Sequence, residues 1–105
     1  MNKVPASPRL LSYLGLAARA GRALSGAEAC EIAIRKGTVR MVLLSGDASE
    51  NTVKHFSDMA AYRSIPCYHI DASAGKAVGH PERKTVVITD EGFAEAVMKE
   101  LEVIV

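Results

Sequence analysis

The segment ARAGRALSGAEA, residues 18–29, sets Gly21 and Gly26 five positions apart and puts Arg22 directly after the first glycine. Glycine lets a backbone approach an anion closely, and the amides that open a helix donate to phosphate oxygens. The chemistry raised is therefore that of a phosphate cradle. A nucleotide-binding loop needs Lys and then Ser or Thr after its second glycine, where this chain has Ala27 and Glu28. A carboxylate there repels a triphosphate, so the anion must be of another kind. A second glycine-containing loop, 79–84, carries His80, Arg83 and Lys84, groups able to hold phosphates or stack on bases. Gly21 and Gly79 also suit plain helix stops, and position alone leaves both readings open.

Catalytic readings find less support. Ser45, Asp47 and His55 suggest a nucleophile with its base, but no G-x-S-x-G elbow surrounds Ser45 and helix capping accounts for Asp47. His55, His69 and His80 share no metal-ligand spacing, and H-E-x-x-H is absent. Cys30 and Cys67 lie in different elements without C-x-x-C spacing, which predicts buried free thiols. The expectation is no catalytic set, no metal and no cofactor.

The elements that must position these groups alternate. SPRLLSYLGLAARAG reads as a helix with Ser7 as cap, Pro8 in the first turn, Leu10, Leu14 and Ala17/Ala18 on one face, and Gly21 as its stop. RAL is a stub of strand. In SGAE, Ser25 and Glu28 form a capping box that opens a second helix, which ends in the basic turn Arg35-Lys36 and Gly37. VRMVLLS, 39–45, reads as a strand covered on both faces. A helix opened by Asp47 or Ser49 buries Val53, Phe56, Met59 and Ala60. IPCYHI is a strand whose Pro66 belongs at its start or on a sheet edge. DASAGKAVG makes two helical turns capped by Asp71 and closed by Gly79; TVVIT is a second buried strand. Asp90 then caps a final helix with Phe93, Val97, Met98 and Leu101 inward and Glu95 and Lys99 paired outside.

The 105 residues, 49% of them hydrophobic, suffice for one core and one domain, 1–105. Alternating helices and strands with short connections predict an α/β fold, a three-layer α/β/α sandwich around a small mixed sheet of about four strands. No apolar run spans a bilayer and MNKVPASPRL lacks a signal segment, so a soluble cytoplasmic protein without a membrane partner is expected. The net charge of +1 hides an asymmetry: residues 1–45 carry seven Lys/Arg against Glu28 and Glu31, whereas residues 46–105 carry six against ten acids. Such a basic half can serve as an electrostatic footprint for a polyanion.

LLSYLGLAARAGR, SG-E-A...AIRKG, VLLSGDASENT and VVITDEGFAEAV together resemble the ribosomal protein L7Ae/L30e superfamily, and most closely its small bacterial YlxQ-like branch. The likeness covers nearly the whole chain. It implies an α/β/α sandwich that binds structured RNA, typically a kink-turn, with ribosomal RNA among the candidate partners. It also implies that the turn into the second helix sits in the RNA groove while the loop Gly79 to Arg83 closes on an extruded nucleotide. The site expected on this basis comprises Gly21, Arg22, Ser25, Gly26, Ala27, Glu28, Glu31, Gly79, His80, Arg83 and Lys84. The Gly-x-Asn-Glu-x-x-Lys pattern of archaeal and eukaryotic kink-turn binders falls on Gly26 to Ile32, where Asn, Glu and Lys are all missing. The lost Lys removes a phosphate partner, and Glu31 adds a like charge. A protein-interaction module on the same fold, working through the acidic helices, is the alternative reading; the oligomeric state is left open.

Overall fold

A computed structural model describes residues 2–103. Ten elements follow one another: β1 (Lys3–Val4), α1 (Pro8–Arg19), β2 (Ala23–Ser25), α2 (Ala27–Lys36), β3 (Met41–Leu44), α3 (Glu50–Tyr62), β4 (Cys67–Ile70), α4 (Ala74–Ala77), β5 (Thr85–Ile88) and α5 (Glu91–Val103). The strands form one mixed sheet in the order β1-β4-β3-β5-β2. β1, β4 and β3 run parallel, while β5 is antiparallel to β3 and to β2. The expected sandwich is therefore present with five strands rather than about four. The extra one is β1, only two residues long and flanked by Pro5, which leaves no period for a sequence reading to detect.

Both β3 and β5 are buried throughout, as their unbroken apolar runs predict. Successive side chains point to opposite faces, and the two cores divide accordingly. Met41, Leu43, Val86 and Ile88 meet Leu10 and Leu14 of α1 and Val97 of α5 on one face. Val42, Leu44 and Val87 meet Cys30 and Ile34 of α2 and Phe56 of α3 on the other. No described helix is long and apolar enough to cross a membrane.

Helix ends show where local and distant forces compete. Ser7 caps α1 by accepting from the Leu10 amide at 3.0 Å, and Ser49, not Asp47, caps α3 by accepting from the Thr52 amide at 3.1 Å. Asp90 accepts from the Phe93 amide at 2.9 Å, as expected of the last cap. α4 has one turn rather than two, and its cap is Ser73 rather than Asp71. Asp71 is drawn off by the Ala6 amide, 2.8 Å from its Oδ1, a bond that ties the β1–α1 connection to the end of β4. Glu95 and Lys99 form no ion pair within 4 Å. Pro66 precedes β4, an internal strand, and its carbonyl accepts from the Val42 amide at 2.9 Å.

Gly75 in α4 carries the 80–83 turn on its bare Cα. The His80 amide donates to the Gly75 carbonyl at 2.8 Å, and the Arg83 amide donates to the His80 carbonyl at 2.9 Å. A Cβ on Gly75 would lie 2.0 Å from the Arg83 carbonyl oxygen and 2.4 Å from that of His80. Both obstacles are backbone, so neither can swing aside. Gly75→Ala is expected to lower unfolding free energy by about 3 kcal/mol, read as a fall in the urea midpoint; an unchanged midpoint would show that the turn does not rest there.

Candidate nucleic-acid interface

The two segments singled out for phosphate chemistry meet because β5 begins where α2 begins. β2 pairs with β5 in the register Ser25↔Val86, and the Gly26 amide donates to the Thr85 carbonyl at 2.9 Å. This leaves Ser25 inside the ladder and makes Gly26 the N-cap of α2, with φ 94° and no side-chain acceptor for the first-turn amides. The Ser25–Glu28 capping box is thus not formed. Ser25 Oγ instead accepts from Arg83 Nη1 at 2.9 Å, a bond that joins the two segments directly. An uncapped helix start keeps its first amides available to an incoming acceptor.

Above this junction lies an open depression of about 430 Å³ lined by Ser25, Gly26, Ala27, Glu28, Ala29, Ile32 and Arg83. Gly26 is close to Arg83: a Cβ there would meet the Arg83 Cδ at 3.5 Å, in a backbone conformation that disfavours any side chain. Glu28 is exposed on the wall, and Ile32, exposed to 44%, adds an apolar rim. Ala29 and Ile32 are absent from the sequence-based site. An apolar residue one turn beyond Glu28 on the same face of α2 is the signal that marks Ile32.

The charged members of the site are only partly free. Lys84 Nζ donates to Asp47 Oδ2 at 2.6 Å, and this ammonium holds the Asp47 carboxyl below its ordinary range. The pairing is present at neutral pH and weakens as pH falls through that depressed value, when Asp47 protonates and Lys84 is released. Glu82 lies 3.7 Å from Arg83 Nε and 3.8 Å from His80 Nδ1, both exposed contacts of small energetic weight. Gly79 has φ 89° and open space around its Cα, which lets the chain turn from α4 into His80.

Three expected site members, Gly21, Arg22 and Glu31, lie elsewhere. The Thr89 amide, one residue past the far end of β5, donates to the Arg22 carbonyl at 2.9 Å. Gly21 and Arg22 therefore occupy the opposite end of β2 from Gly26, about 13 Å away at the rise of a strand. Glu31 points across to α3, where its carboxylate pairs with His55 Nε2, and lies 3.7 Å from Arg35. Its charge is spent there rather than in the depression. The Ser45–Asp47–His55 grouping is dispersed as well: Ser45 is fully buried with Oγ accepting from the Ala74 amide at 2.9 Å, while Asp47 and His55 face Lys84 and Glu31. His69 is buried in β4 with neither ring nitrogen bonded to a described group.

The fold and this junction define a class: α/β/α sandwiches in which a helix amino end and a basic turn flank the same end of one antiparallel strand. The chain belongs to the ribosomal protein L7Ae/L30e/S12e/Gadd45 family, whose pattern matches residues 9–98. It is 36% identical over 89 residues to the RNA-binding protein YlxQ of Enterococcus faecium, covering 83% of this chain and 85% of that one. The YlxQ protein of Bacillus subtilis (strain 168) is also 36% identical, over 91 residues, 85% of this chain and 91% of its own. A solved structure of a protein of unknown function from Bacillus halodurans superposes with a TM-score of 0.84 at 34% identity, covering 91% of this chain and 99% of the other. The 15.5 kD RNA-binding protein of Giardia lamblia shares the fold, with a TM-score of 0.72 at 16% identity over 91% of this chain and 84% of its own.

The floor of the depression offers a probe of its integrity. Cys30 is buried beneath it, with Sγ 3.6 Å from the Thr85 carbonyl and 3.7 Å from that of Leu24. Burial pushes its thiol up to about 12, and pushes that of half-buried Cys67 up to about 11. In the folded protein at pH 8 a disulfide reagent should attack both about a hundredfold more slowly than free cysteine, and at the free rate in urea. Fast reaction of Cys30 without denaturant would mean that the start of α2 lifts away from β2 and β5.

Proposed function

We propose that this chain binds structured RNA of the kink-turn kind through the depression between the amino end of α2 and the 79–84 loop. The observation that carries the reading is the Arg83–Ser25 bond beside the uncapped start of α2. It pre-positions a guanidinium next to open amide donors, so one phosphate or base edge can be met from two sides without ordering a loop on binding. The depression then receives an extruded nucleotide, with Gly26 permitting close approach and Ile32 covering its apolar parts. His80, half exposed at the loop tip, offers a ring for stacking. Glu28 serves as an acceptor for a guanine edge.

The chain acts as a binder rather than an enzyme and works in the cytoplasm, with ribosomal RNA as the natural source of such folded elements. The curated relatives are named as RNA-binding proteins, which supports RNA over a protein ligand. The loop cations share their surroundings with Glu28, Asp47 and Glu82, so recognition here rests on shape and donor placement more than on net charge.

Mobility shifts with a kink-turn RNA and an unkinked control of equal composition test the reading. Arg83→Glu with Lys84→Glu should weaken kink-turn binding more than tenfold and lower the slope of log affinity against log salt by about 1–2. Equal affinity of wild type for both RNAs, or no loss in the double variant, would reject it. Asp47→Asn frees Lys84 and should tighten binding about two- to fivefold at neutral pH, a gain that shrinks in acid as the wild-type carboxyl protonates.

A further inference from the structure

The carboxyl ends of α1, α2 and α3 and the first residues of β3 and β4 share the end of the molecule opposite to Gly26 and Arg83. Its exposed surface carries Arg19, Arg22, Arg35, Lys36, Arg40 and Arg63. Backbone pairing fixes their neighbourhood: the Thr89 amide donates to the Arg22 carbonyl, and the Arg40 amide donates to the Ile88 carbonyl at 2.7 Å. The acids at this end are Asp90 and Glu91, and Asp90 is turned to the Phe93 amide. Of the six cations only Arg35 has an ion pair among the described residues, with Glu31 one turn back along α2.

Basic residues in a last helical turn ordinarily offset the helix dipole, so the magnitude decides whether any charge is left over. Three carboxyl ends at about half a negative charge each, less about half a positive charge from the amino end of α5, amount to roughly one negative charge. With Arg35 paired to Glu31, the five other cations against two carboxylates exceed that by about two charges. Capping the dipoles therefore does not exhaust them.

The surplus is focused. Arg35, Arg40 and Arg63 line a cleft of about 390 Å³ between the end of α2 and the Arg63–Pro66 segment. Beside it Tyr62 is 84% exposed, with the Arg63 guanidinium over its ring at 5.5 Å from the centroid. An exposed aromatic backed by a guanidinium and adjoining a cationic cleft has the chemistry of a stacking platform next to a phosphate seat.

We propose that this end is a second RNA-contact surface, which takes a single-stranded segment with a phosphate among Arg35, Arg40 and Arg63 and an unpaired base on the open face of Tyr62. The inference rests on the reading of RNA as the ligand, but it uses none of the residues of the depression. The protein then holds a folded element at one end and an unpaired flank or neighbouring strand at the other.

The probe is a labelled single-stranded RNA octamer of mixed sequence, read by fluorescence anisotropy across a salt series, with a duplex of the same length as competitor. Arg40→Gln with Arg63→Gln should weaken octamer binding at least about tenfold and reduce the salt slope by about 0.7, the share of one single-strand phosphate. Tyr62→Ala should cost about tenfold with the slope unchanged, because stacking carries no counterion release. Arg83→Glu with Lys84→Glu should leave octamer affinity within about twofold while abolishing kink-turn preference. All substituted positions are exposed or half-exposed, and retained melting temperatures confirm folded variants. Undetectable octamer binding by wild type, octamer affinity indifferent to both Tyr62 and the arginines, or stronger competition by duplex than by unlabelled octamer would overturn the proposal. Failure of the kink-turn reading shows separately, in the mobility shifts of the Arg83 and Lys84 variant.

Discussion

The seat of β5, hydrogen-bonded on both sides and buried along its length, is the constraint from which the rest of the molecule follows. Because it runs antiparallel to both neighbours, its first residue, Thr85, is bonded to Gly26 just past the end of β2, and its last, Ile88, lies beside the first, Ala23. One end of this strand thus collects the start of α2 and the turn that leads into β5. The other collects Arg22 and Arg40. Four buried residues set which side chains can act together, although none of the four reaches the surface.

That arrangement separates two kinds of recognition that the linear charge asymmetry runs together. The basic first half of the chain looks like a single footprint when counted along the sequence. In three dimensions, Arg19, Arg22, Arg35, Lys36 and Arg40 all gather away from the Gly26–Arg83 junction, because every long helix before β4 runs from that junction end to the opposite one. Cations placed in last turns for the sake of helix dipoles necessarily accumulate where helices finish. The junction end holds amide donors and a mixture of charges, suited to reading form, whereas the far end holds potential, suited to attracting a backbone.

How much of this is legible in the sequence depends on how far the deciding contact lies along the chain. The quartets Met41–Leu44 and Thr85–Ile88 declare themselves through unbroken apolar runs, and Ser7 and Asp90 mark helix starts through bonds three residues long. The Ser25–Glu28 box fails because ladder pairing with Val86 and a bond from Arg83, 58 residues away, claim Ser25 first. Asp71 is likewise taken by Ala6, 65 residues away. Among the residues that line the depression, Gly26, Ala27, Glu28 and Arg83 are recoverable from local pattern and family likeness. The diversion of Glu31 to His55 and the departure of Arg22 to the far end are settled by partners that no window of neighbouring residues contains.

The outermost strands of the sheet are its shortest, two residues in β1 and three in β2, with Pro5 following the former and the uncapped turn at Gly26 ending the latter. Neither border offers enough unpaired amides and carbonyls in a row to template another chain. Where copies of the chain meet, such abbreviated borders leave no strand to extend, so edge-to-edge growth into fibrils has no starting point.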